Sequence, residues 1–179
     1  MQLSSAKELI LVLGGARSGK SSWALRYAEE CYQSYLFLAT AQVIDEEMAE
    51  RVKRHKESRG PEWNLLEEPI EIAETLKAKC GDFEAVLLDC LTVWQSNILL
   101  IKGEGQVGLY QDHLLKTLSQ RKQTIIIVSN EVGLGIVPEN SIGRKFRDLA
   151  GQFHQEVAAL ADKVIFLVAG LPTYLKGAP

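Results

Sequence analysis

The sequence predicts an α/β fold in which a mostly parallel β-sheet is flanked by helices. Short runs that are apolar at almost every position recur along the chain, and helix-like segments separate them. Uniformly apolar runs are typical of strands that are buried on both faces of a parallel sheet. Strands that alternate with helices favour right-handed crossover connections within one open sheet. The length of 179 residues favours a single domain.

The pattern places five strands and five helices, and it leaves a polar tail at residues 1–8 ahead of a domain at residues 9–179. The predicted strands are residues 9–13, 34–39, 85–89, 124–129 and 164–169. The predicted helices are residues 21–31, 45–58, 70–79, 111–120 and 143–161. Three glycines interrupt the pattern within residues 101–108. We interpret that segment as a surface connection in preference to a mobile loop.

Composition and charge narrow the classes of partner. The chain is 46% hydrophobic and 24% charged, with a net charge of −3, so it has no general attraction to nucleic acid or to anionic membranes. No apolar run reaches the roughly 20 residues of a membrane span, and the polar start does not fit a signal peptide. The three cysteines have no Cys-x-x-Cys spacing and are interpreted as reduced thiols. We therefore expect a cytoplasmic protein.

A glycine-rich motif follows the first predicted strand and precedes a helix. Residues 14–21, GGARSGKS, fit the pattern G-x-x-x-x-G-K-[ST] in that context. The glycines let the backbone curl so that successive N–H groups face one phosphate, helped by the positive end of the helix. In such a loop Lys20 reaches the β- and γ-phosphates, and the Ser21 hydroxyl holds Mg²⁺. The predicted nucleotide-binding residues are Gly14, Gly15, Ala16, Arg17, Ser18, Gly19, Lys20 and Ser21.

Asp89 ends the apolar run AVLLD, at the carboxyl end of a predicted buried strand. Ligands of open α/β sheets bind at this edge of the sheet. Because the chain also carries a phosphate-binding loop, we interpret Asp89 as the acidic residue that steadies Mg²⁺ beside Ser21. The alternative role for this carboxylate is a cap of the next helix.

The segment DEEMAERVKRHKESR, residues 45–59, concentrates basic residues around one histidine. On a helix, Arg51, His55 and Arg59 fall at i, i+4 and i+8, on one face. Neighbouring positive charge disfavours the imidazolium form, which leaves a neutral imidazole able to attack phosphorus. Periodicity alone favours the simpler interpretation, a solvated basic face balanced by the acidic residues at the start of the segment.

Several segments together resemble one family, the bifunctional adenosylcobinamide kinases / adenosylcobinamide-phosphate guanylyltransferases of cobalamin biosynthesis. In chain order they are GGARSGKS, LATAQVIDEEMAERVKRHKESR, WNLLEEP, LLDCLTVWQSN, VSNEVGLGIVP, GRKFRDLAGQ and AGLPTYLKG. The resemblance extends from about residue 9 to residue 176. It implies a P-loop NTPase fold of the RecA-like type. The chain departs from the family pattern at His154, where asparagine is usual; we interpret His113 and His154 as structural residues of amphipathic helices.

The resemblance implies two reactions. A nucleoside triphosphate, GTP or ATP, phosphorylates adenosylcobinamide, and GTP then converts adenosylcobinamide phosphate to adenosylcobinamide-GDP through a GMP-histidine intermediate. By resemblance that histidine is His55, acting with Lys20 and Mg²⁺. The family also forms trimers, which makes a homotrimer the expected assembly. The further nucleotide contacts implied by the family pattern are Ala39, Thr40, Ala41, Lys56, Glu57, Ser58, Arg59, Glu67 and Asp89.

Two other functions compete with this interpretation. The first is a P-loop kinase of another small metabolite, in which His55 is never modified. The second is a regulatory or motor NTPase with no small-molecule product. A regulatory GTPase would carry an Asn-Lys-x-Asp guanine-binding motif, which SNEVG does not match, and a nucleic-acid motor would have a more basic surface.

Overall fold

The fold is a seven-stranded sheet with helices on both faces, and the computed structural model describes residues 7–42 and 60–178. The strands are β1 (Leu9–Gly14), β2 (Tyr35–Ala39), β3 (Asn64–Glu67), β4 (Ala85–Asp89), β5 (Thr124–Asn130), β6 (Lys163–Val168) and β7 (Leu171–Lys176). The helices of the described residues are α1 (Lys20–Cys31), α2 (Ile72–Lys79), α3 (Leu91–Ile101), α4 (Glu104–Ser119) and α5 (Ser141–Leu160). The predicted helix at residues 45–58 lies outside the described ranges.

The strands are ordered β3-β2-β4-β5-β1-β6-β7 across the sheet. All neighbouring pairs are parallel except β6 and β7, which are antiparallel. The predicted α/β class with a mostly parallel sheet is therefore confirmed. β1 lies between β5 and β6 and is buried along its whole length, which explains its uniformly apolar sequence.

The two faces of the sheet form separate hydrophobic clusters because successive strand side chains point in opposite directions. Leu9, Leu11 and Leu13 of β1 belong to the cluster that includes apolar residues of α2, α3, α4 and α5. Ile10 and Val12 belong to the other cluster, which α1 covers with residues such as Ala24 and Ala28. None of the helices in the described part of the chain is long and apolar enough to cross a membrane.

The prediction of a connecting segment at residues 101–108 is wrong. α3 ends at Ile101, Lys102 and Gly103 form the turn, and α4 already begins at Glu104. Gly103 has a φ of 89°, which glycine adopts without strain, whereas Gly105 and Gly108 lie inside the helix. Tertiary packing of Val107, which is buried in the core, outweighs the poor helix propensity of those two glycines.

Three further elements were absent from the prediction. α3 is rich in apolar residues on most sides and follows β4 after a single residue, so no helical period separates it from the strand. β3 is only four residues long, and β7 is an exposed strand at the edge of the sheet. Short or exposed strands carry little of the hydrophobic pattern on which the prediction depends.

The indole of Trp94 links α3 to the segment that precedes α2. The side chain is fully buried, its Nε1 donates to the carbonyl oxygen of Ile70 at 2.8 Å, and its ring lies 5.9 Å from that of Phe153. We expect Trp94→Phe to lower the free energy of unfolding by about 1–3 kcal/mol, since the buried carbonyl loses its donor. Urea denaturation followed by circular dichroism measures the change. The control is Trp23→Phe, because Trp23 is partly exposed and stacks on Tyr27 without such a bond; equal losses in both variants would contradict the assignment.

Candidate nucleotide site

The carboxyl ends of the parallel strands bring most of the predicted site residues to one edge of the sheet. Ala39 at the end of β2 pairs in register with Glu67 of β3 on one side and with Asp89 of β4 on the other. Gly14 at the end of β1 pairs with Asn130 of β5. Ligands of open α/β sheets bind at this edge, so the phosphate loop and Asp89 are correctly placed for a shared site.

The phosphate loop, residues 14–21, has a backbone that requires glycine at two positions. A Cβ atom on Gly14 would lie 2.6 Å from the carbonyl oxygen of Leu167, and Gly19 has a φ of 93°. Arg17 also has a positive φ, of 57°. The loop is joined to the turn after β6 by a hydrogen bond from the Gly170 amide to the Ser18 carbonyl, at 2.9 Å. These constraints hold the loop curled at the N-terminus of α1, where backbone N–H groups bind anions.

Lys20 is the buried cation of this loop, with 6% of its surface exposed, whereas Arg17 is exposed. Its Nζ donates to the carbonyl oxygen of Gly15 at 2.6 Å and lies 3.4 Å from the Ser18 hydroxyl. Burial lowers the pKa of Lys20, and the negative charge of Asp89 opposes that shift. A partly desolvated ammonium interacts more strongly with phosphate oxygens than a solvated one, because the local dielectric is low.

Ser21 and Asp89 meet across the site although 68 positions separate them in the sequence. The Ser21 hydroxyl donates to Oδ2 of Asp89 at 2.6 Å. Ser21 lies in the first turn of α1 and Asp89 at the end of β4, so the contact depends on how α1 packs over the sheet. A hydroxyl and a carboxylate at this spacing are hard oxygen donors of the kind that Mg²⁺ prefers.

Hydrogen bonds of the Thr40 side chain join the end of β2 to the end of β4. Its hydroxyl donates to the Cys90 carbonyl at 2.8 Å and accepts from the Cys90 amide at 2.9 Å, and the side chain is fully buried. The Asn97 side chain donates to the Thr40 carbonyl at 2.8 Å and to the Pro69 carbonyl at 3.1 Å. By bonding the amide and the carbonyl of Cys90, the Thr40 side chain fixes the backbone directly after Asp89.

The remaining predicted contacts divide into described and undescribed residues. Ala39, Ala41 and Glu67 lie near the same edge, and the Glu68 amide donates to the Ala39 carbonyl at 2.9 Å. His55 and its neighbours Lys56, Glu57, Ser58 and Arg59 lie outside the described residues. Among the residues that are described, no group of three or more His, Cys, Asp or Glu side chains has the arrangement of a metal cluster.

Glu131, which the sequence analysis left without a role, follows β5 at the same edge. Its amide donates to the Gly14 carbonyl at 2.9 Å, and its Oε1 accepts from the Gly133 amide at 2.7 Å. Its Oε2 lies 3.7 Å from Nδ1 of buried His154, and the other nitrogen of that ring lies 2.7 Å from the Ser129 hydroxyl. Burial lowers the pKa of His154, and Glu131 opposes the shift. The rule that identified Asp89, an acidic residue at the end of a buried strand, also finds Glu131 when it is applied to β5.

Curated relatives match the chain over nearly its full length. It is 43% identical over 169 residues to the bifunctional adenosylcobalamin biosynthesis protein CobP of Pseudomonas aeruginosa, which covers 94% of this chain and 98% of the relative. It is 35% identical over 181 residues to the bifunctional adenosylcobalamin biosynthesis protein CobU of Escherichia coli, which covers 94% of this chain and 99% of the relative.

Solved structures with little sequence identity share the fold. The type III secretion ATPase EscN of enteropathogenic Escherichia coli aligns with a TM-score of 0.60 at 14% identity, over 91% of this chain and 43% of that one. A protein of Pyrococcus horikoshii, PH0250, aligns with a TM-score of 0.53 at 11% identity, over 99% and 90% of the two chains. These likenesses confirm the P-loop NTPase architecture and carry no information on the reaction.

The family assignment rests on a match that extends through the phosphate loop, the end of β4 and the segment after β5. Residues 10–175 match the family described as cobinamide kinase / cobinamide phosphate guanyltransferase. That range contains every predicted site residue. By this match and by its identity to the two bacterial relatives, the chain belongs to the cobinamide kinase / cobinamide phosphate guanyltransferase family.

Proposed function

We propose that this chain phosphorylates adenosylcobinamide with a nucleoside triphosphate, GTP or ATP, and then transfers GMP from GTP to adenosylcobinamide phosphate. Family membership supports both activities. The observation that carries the proposal within this chain is the convergence of Lys20, Ser21 and Asp89, where a buried ammonium adjoins a hydroxyl and a carboxylate in contact at 2.6 Å. Phosphoryl transfer requires such groups, because its catalysis depends mainly on positioning the phosphates and neutralising their charge.

In the kinase step the acceptor hydroxyl attacks the γ-phosphorus, and the nucleoside diphosphate leaves. Lys20 and the loop amides stabilise the charge that develops on the phosphate oxygens. In the transfer step a ring nitrogen of His55 attacks the α-phosphorus of GTP, and pyrophosphate leaves. The phosphate of the corrinoid then attacks the GMP-histidine, which releases adenosylcobinamide-GDP and restores the imidazole. One phosphate cradle serves both steps, because the group it stabilises is the γ-phosphate in one and the leaving pyrophosphate in the other.

Mg²⁺ fits the donor set that Ser21 and Asp89 provide. Nucleotide-bound Mg²⁺ takes only one or two protein ligands and completes its shell with phosphate oxygens and water, so a larger cluster is not required. Ser21 is the proposed direct ligand, and Asp89 holds the Ser21 hydroxyl at 2.6 Å. When bound, the ion neutralises charge on the phosphates. The side chains of this chain orient the triphosphate around it.

The finer assignments belong to the same proposal. Ala39, Thr40, Ala41 and Glu67 are proposed to contact the nucleotide from the ends of β2 and β3. The four residues after His55, which lie outside the described ranges, are proposed to contact it as well: Lys56, Glu57, Ser58 and Arg59. The domain is proposed to comprise residues 9–179 after a tail at residues 1–8. A homotrimer in the cytoplasm is the proposed state of the protein.

A product assay tests the function directly. The protein is incubated with adenosylcobinamide and either GTP or ATP, and the corrinoids are resolved by mass. We expect adenosylcobinamide phosphate with either donor and adenosylcobinamide-GDP only with GTP. A kinase of another metabolite would leave adenosylcobinamide unchanged, and a regulatory or motor NTPase would release phosphate without any corrinoid product.

We expect Lys20→Ala to lower the rate of both steps by roughly 10²–10³, because the loss of one preorganised charge contact costs a few kcal/mol of transition-state stabilisation. The steady-state rates of phosphorylation and of GMP transfer are measured separately. Lys122→Ala is the control, since Lys122 is exposed and precedes β5 at the opposite edge of the sheet. Near wild-type turnover of Lys20→Ala in either step would exclude a shared cradle.

Ser21→Ala and Ser22→Ala form a matched pair for the magnesium assignment. Ser21 bonds Asp89, whereas Ser22 is its exposed neighbour on α1. We expect Ser21→Ala to raise the Mg²⁺ concentration needed for half-maximal activity by about tenfold or more, the size expected for a lost contact to a charged group. Ser22→Ala is expected to follow the wild-type curve. Superimposable Mg²⁺ titrations of the two variants would count against Ser21 as a ligand.

The covalent step depends on His55. We expect His55→Ala to lose labelling by GTP that is radioactive at the α-phosphate and to lose adenosylcobinamide-GDP formation, because alanine has no lone pair with which to attack phosphorus. Phosphorylation of adenosylcobinamide is expected to persist in part. The wild-type label is expected to be labile to acid and stable to alkali, as a phosphoramidate is. His113→Ala, at a partly exposed position on α4, is the control. Covalent GMP on the His55→Ala protein would place the nucleophile elsewhere.

A further inference from the structure

A cavity of about 540 Å³ opens directly beside the phosphate loop. Gly15 and Ala16 line one side of it, and the connection from β5 to α5, residues 131–140, lines the other. The volume lies within the range of small-molecule sites, about 300–1,000 Å³. Because the loop itself forms a wall, any molecule in this cavity is next to a bound triphosphate.

The connection presents apolar side chains to solvent at the mouth of the cavity. Leu134 is 79% exposed and Ile136 is 97% exposed, and both line the cavity together with half-buried Phe146 of α5. A group of exposed apolar side chains beside a functional site is typical of a surface that binds an apolar partner. The triphosphate, which is strongly anionic, does not account for such a surface.

Hydrogen bonds within the connection hold it in this arrangement. The side chain of Asn140 accepts from the Gly143 amide at 2.6 Å and so caps α5. The guanidinium of Arg144 donates to the carbonyl oxygens of Pro138 and Glu139. At the other end, Gly133 donates to Glu131 at 2.7 Å. The outward position of Ile136 therefore belongs to a connection that is anchored at both ends.

The end of the cavity nearest the loop is polar. Asn130 and Glu131 line it, Asn130 pairs with Gly14, and the hydrogen bond from the Glu131 amide to the Gly14 carbonyl holds the acidic residue against the start of the phosphate loop. The Gly133 amide occupies one acceptor position of the carboxylate, and His154 lies behind its other oxygen at 3.7 Å. A carboxylate has about four lone-pair positions, so Glu131 retains capacity to accept a hydrogen bond from a ligand.

We infer that this cavity is the acceptor site, which binds the hydroxyl-bearing arm of the corrinoid with its hydroxyl at Glu131 and methyl groups of the macrocycle on Leu134 and Ile136. The inference rests on the proposed function. Its basis is the match between an amphipathic substrate and a cavity that is polar beside the phosphate loop and apolar at its mouth. The volume accommodates the arm and the adjoining ring edge, and the rest of the macrocycle lies outside, against the exposed connection.

Glu131 then has a role in only one of the two steps. In phosphorylation, the acceptor oxygen forms a bond to the γ-phosphorus, the bond from that phosphorus to the bridging oxygen breaks, and the electron pair leaves with the nucleoside diphosphate. The hydroxyl proton passes to Glu131 and then to water. In the transfer step the attacking phosphate oxygen is already deprotonated, so no proton acceptor is needed.

The apolar part of the site is tested with Ile136→Ser and, as the matched control, Leu109→Ser, an exposed residue of α4 that does not line the cavity. We expect Ile136→Ser to raise the dissociation constant of adenosylcobinamide in equilibrium dialysis, and the KM in both steps, by about tenfold. Covalent labelling by GTP is expected to keep the wild-type concentration dependence. Unchanged corrinoid binding in Ile136→Ser, or equal effects in both variants, would overturn the inference.

The polar part is tested with Glu131→Gln, which keeps the size and loses the basic carboxylate. We expect the kinase kcat to fall by about 10² or more, with a much smaller fall in the kcat for GMP transfer to adenosylcobinamide phosphate. Equal falls in both kcat values would overturn the role of Glu131.

Light scattering of Ile136→Ser decides whether the apolar face instead contacts a second copy of the chain, since a changed oligomeric state would also overturn the inference. If the wild-type protein binds no corrinoid, the proposed function fails together with the inference. If the wild-type protein binds corrinoid and the variants behave like their controls, only the inference fails.

Discussion

The register of the buried parallel strands is the constraint on which the rest of the molecule depends. Ala39, Glu67 and Asp89 end their strands at one level of the sheet because parallel neighbours are bonded in register. Asp89 pairs with Val128, so Gly14 and Asn130 end β1 and β5 two residues further on, at the same edge. A shift of one residue in any pair would turn its side chains to the other face, into the wrong hydrophobic cluster. Burial on both faces therefore fixes the site as firmly as it fixes the core.

Contacts around the strand ends give this edge of the sheet a defined arrangement of side chains. Thr40 and Cys90 exchange two hydrogen bonds across the ends of β2 and β4, and Asn97 ties Thr40 to the segment before α2. On the opposite side of Asp89, the Ser21 hydroxyl draws the first turn of α1 to the same carboxylate. Because these hydrogen bonds fix the side chains before substrate binds, the charged groups of the site do not need to rearrange during the reaction.

The site has a nucleotide side and an acceptor side, and the phosphate loop belongs to both. Lys20 and Ser21 face the nucleotide side, whereas Gly15 and Ala16 line the cavity that Glu131 and Ile136 also border. This division suits the two proposed reactions, in which the amphipathic acceptor meets the γ-phosphate of a triphosphate in one step and a guanylyl group in the other. The buried Ser129–His154 pair stands behind Glu131 and leaves the carboxylate at the boundary between the two sides.

The sequence by itself determined the fold class, the phosphate loop and the position of Asp89 at a strand end, because these depend on local glycine geometry and on uniformly apolar strands. The resemblance of several motifs extended this to the family, and it predicts the role of His55. Only the tertiary structure decided the strand order, the helical state of residues 104–108, the Thr40–Cys90 bonds and the cavity beside Glu131. These features arise from contacts between residues that are far apart in the chain, such as Ser21 and Asp89, and packing energy at such contacts outweighs local propensity.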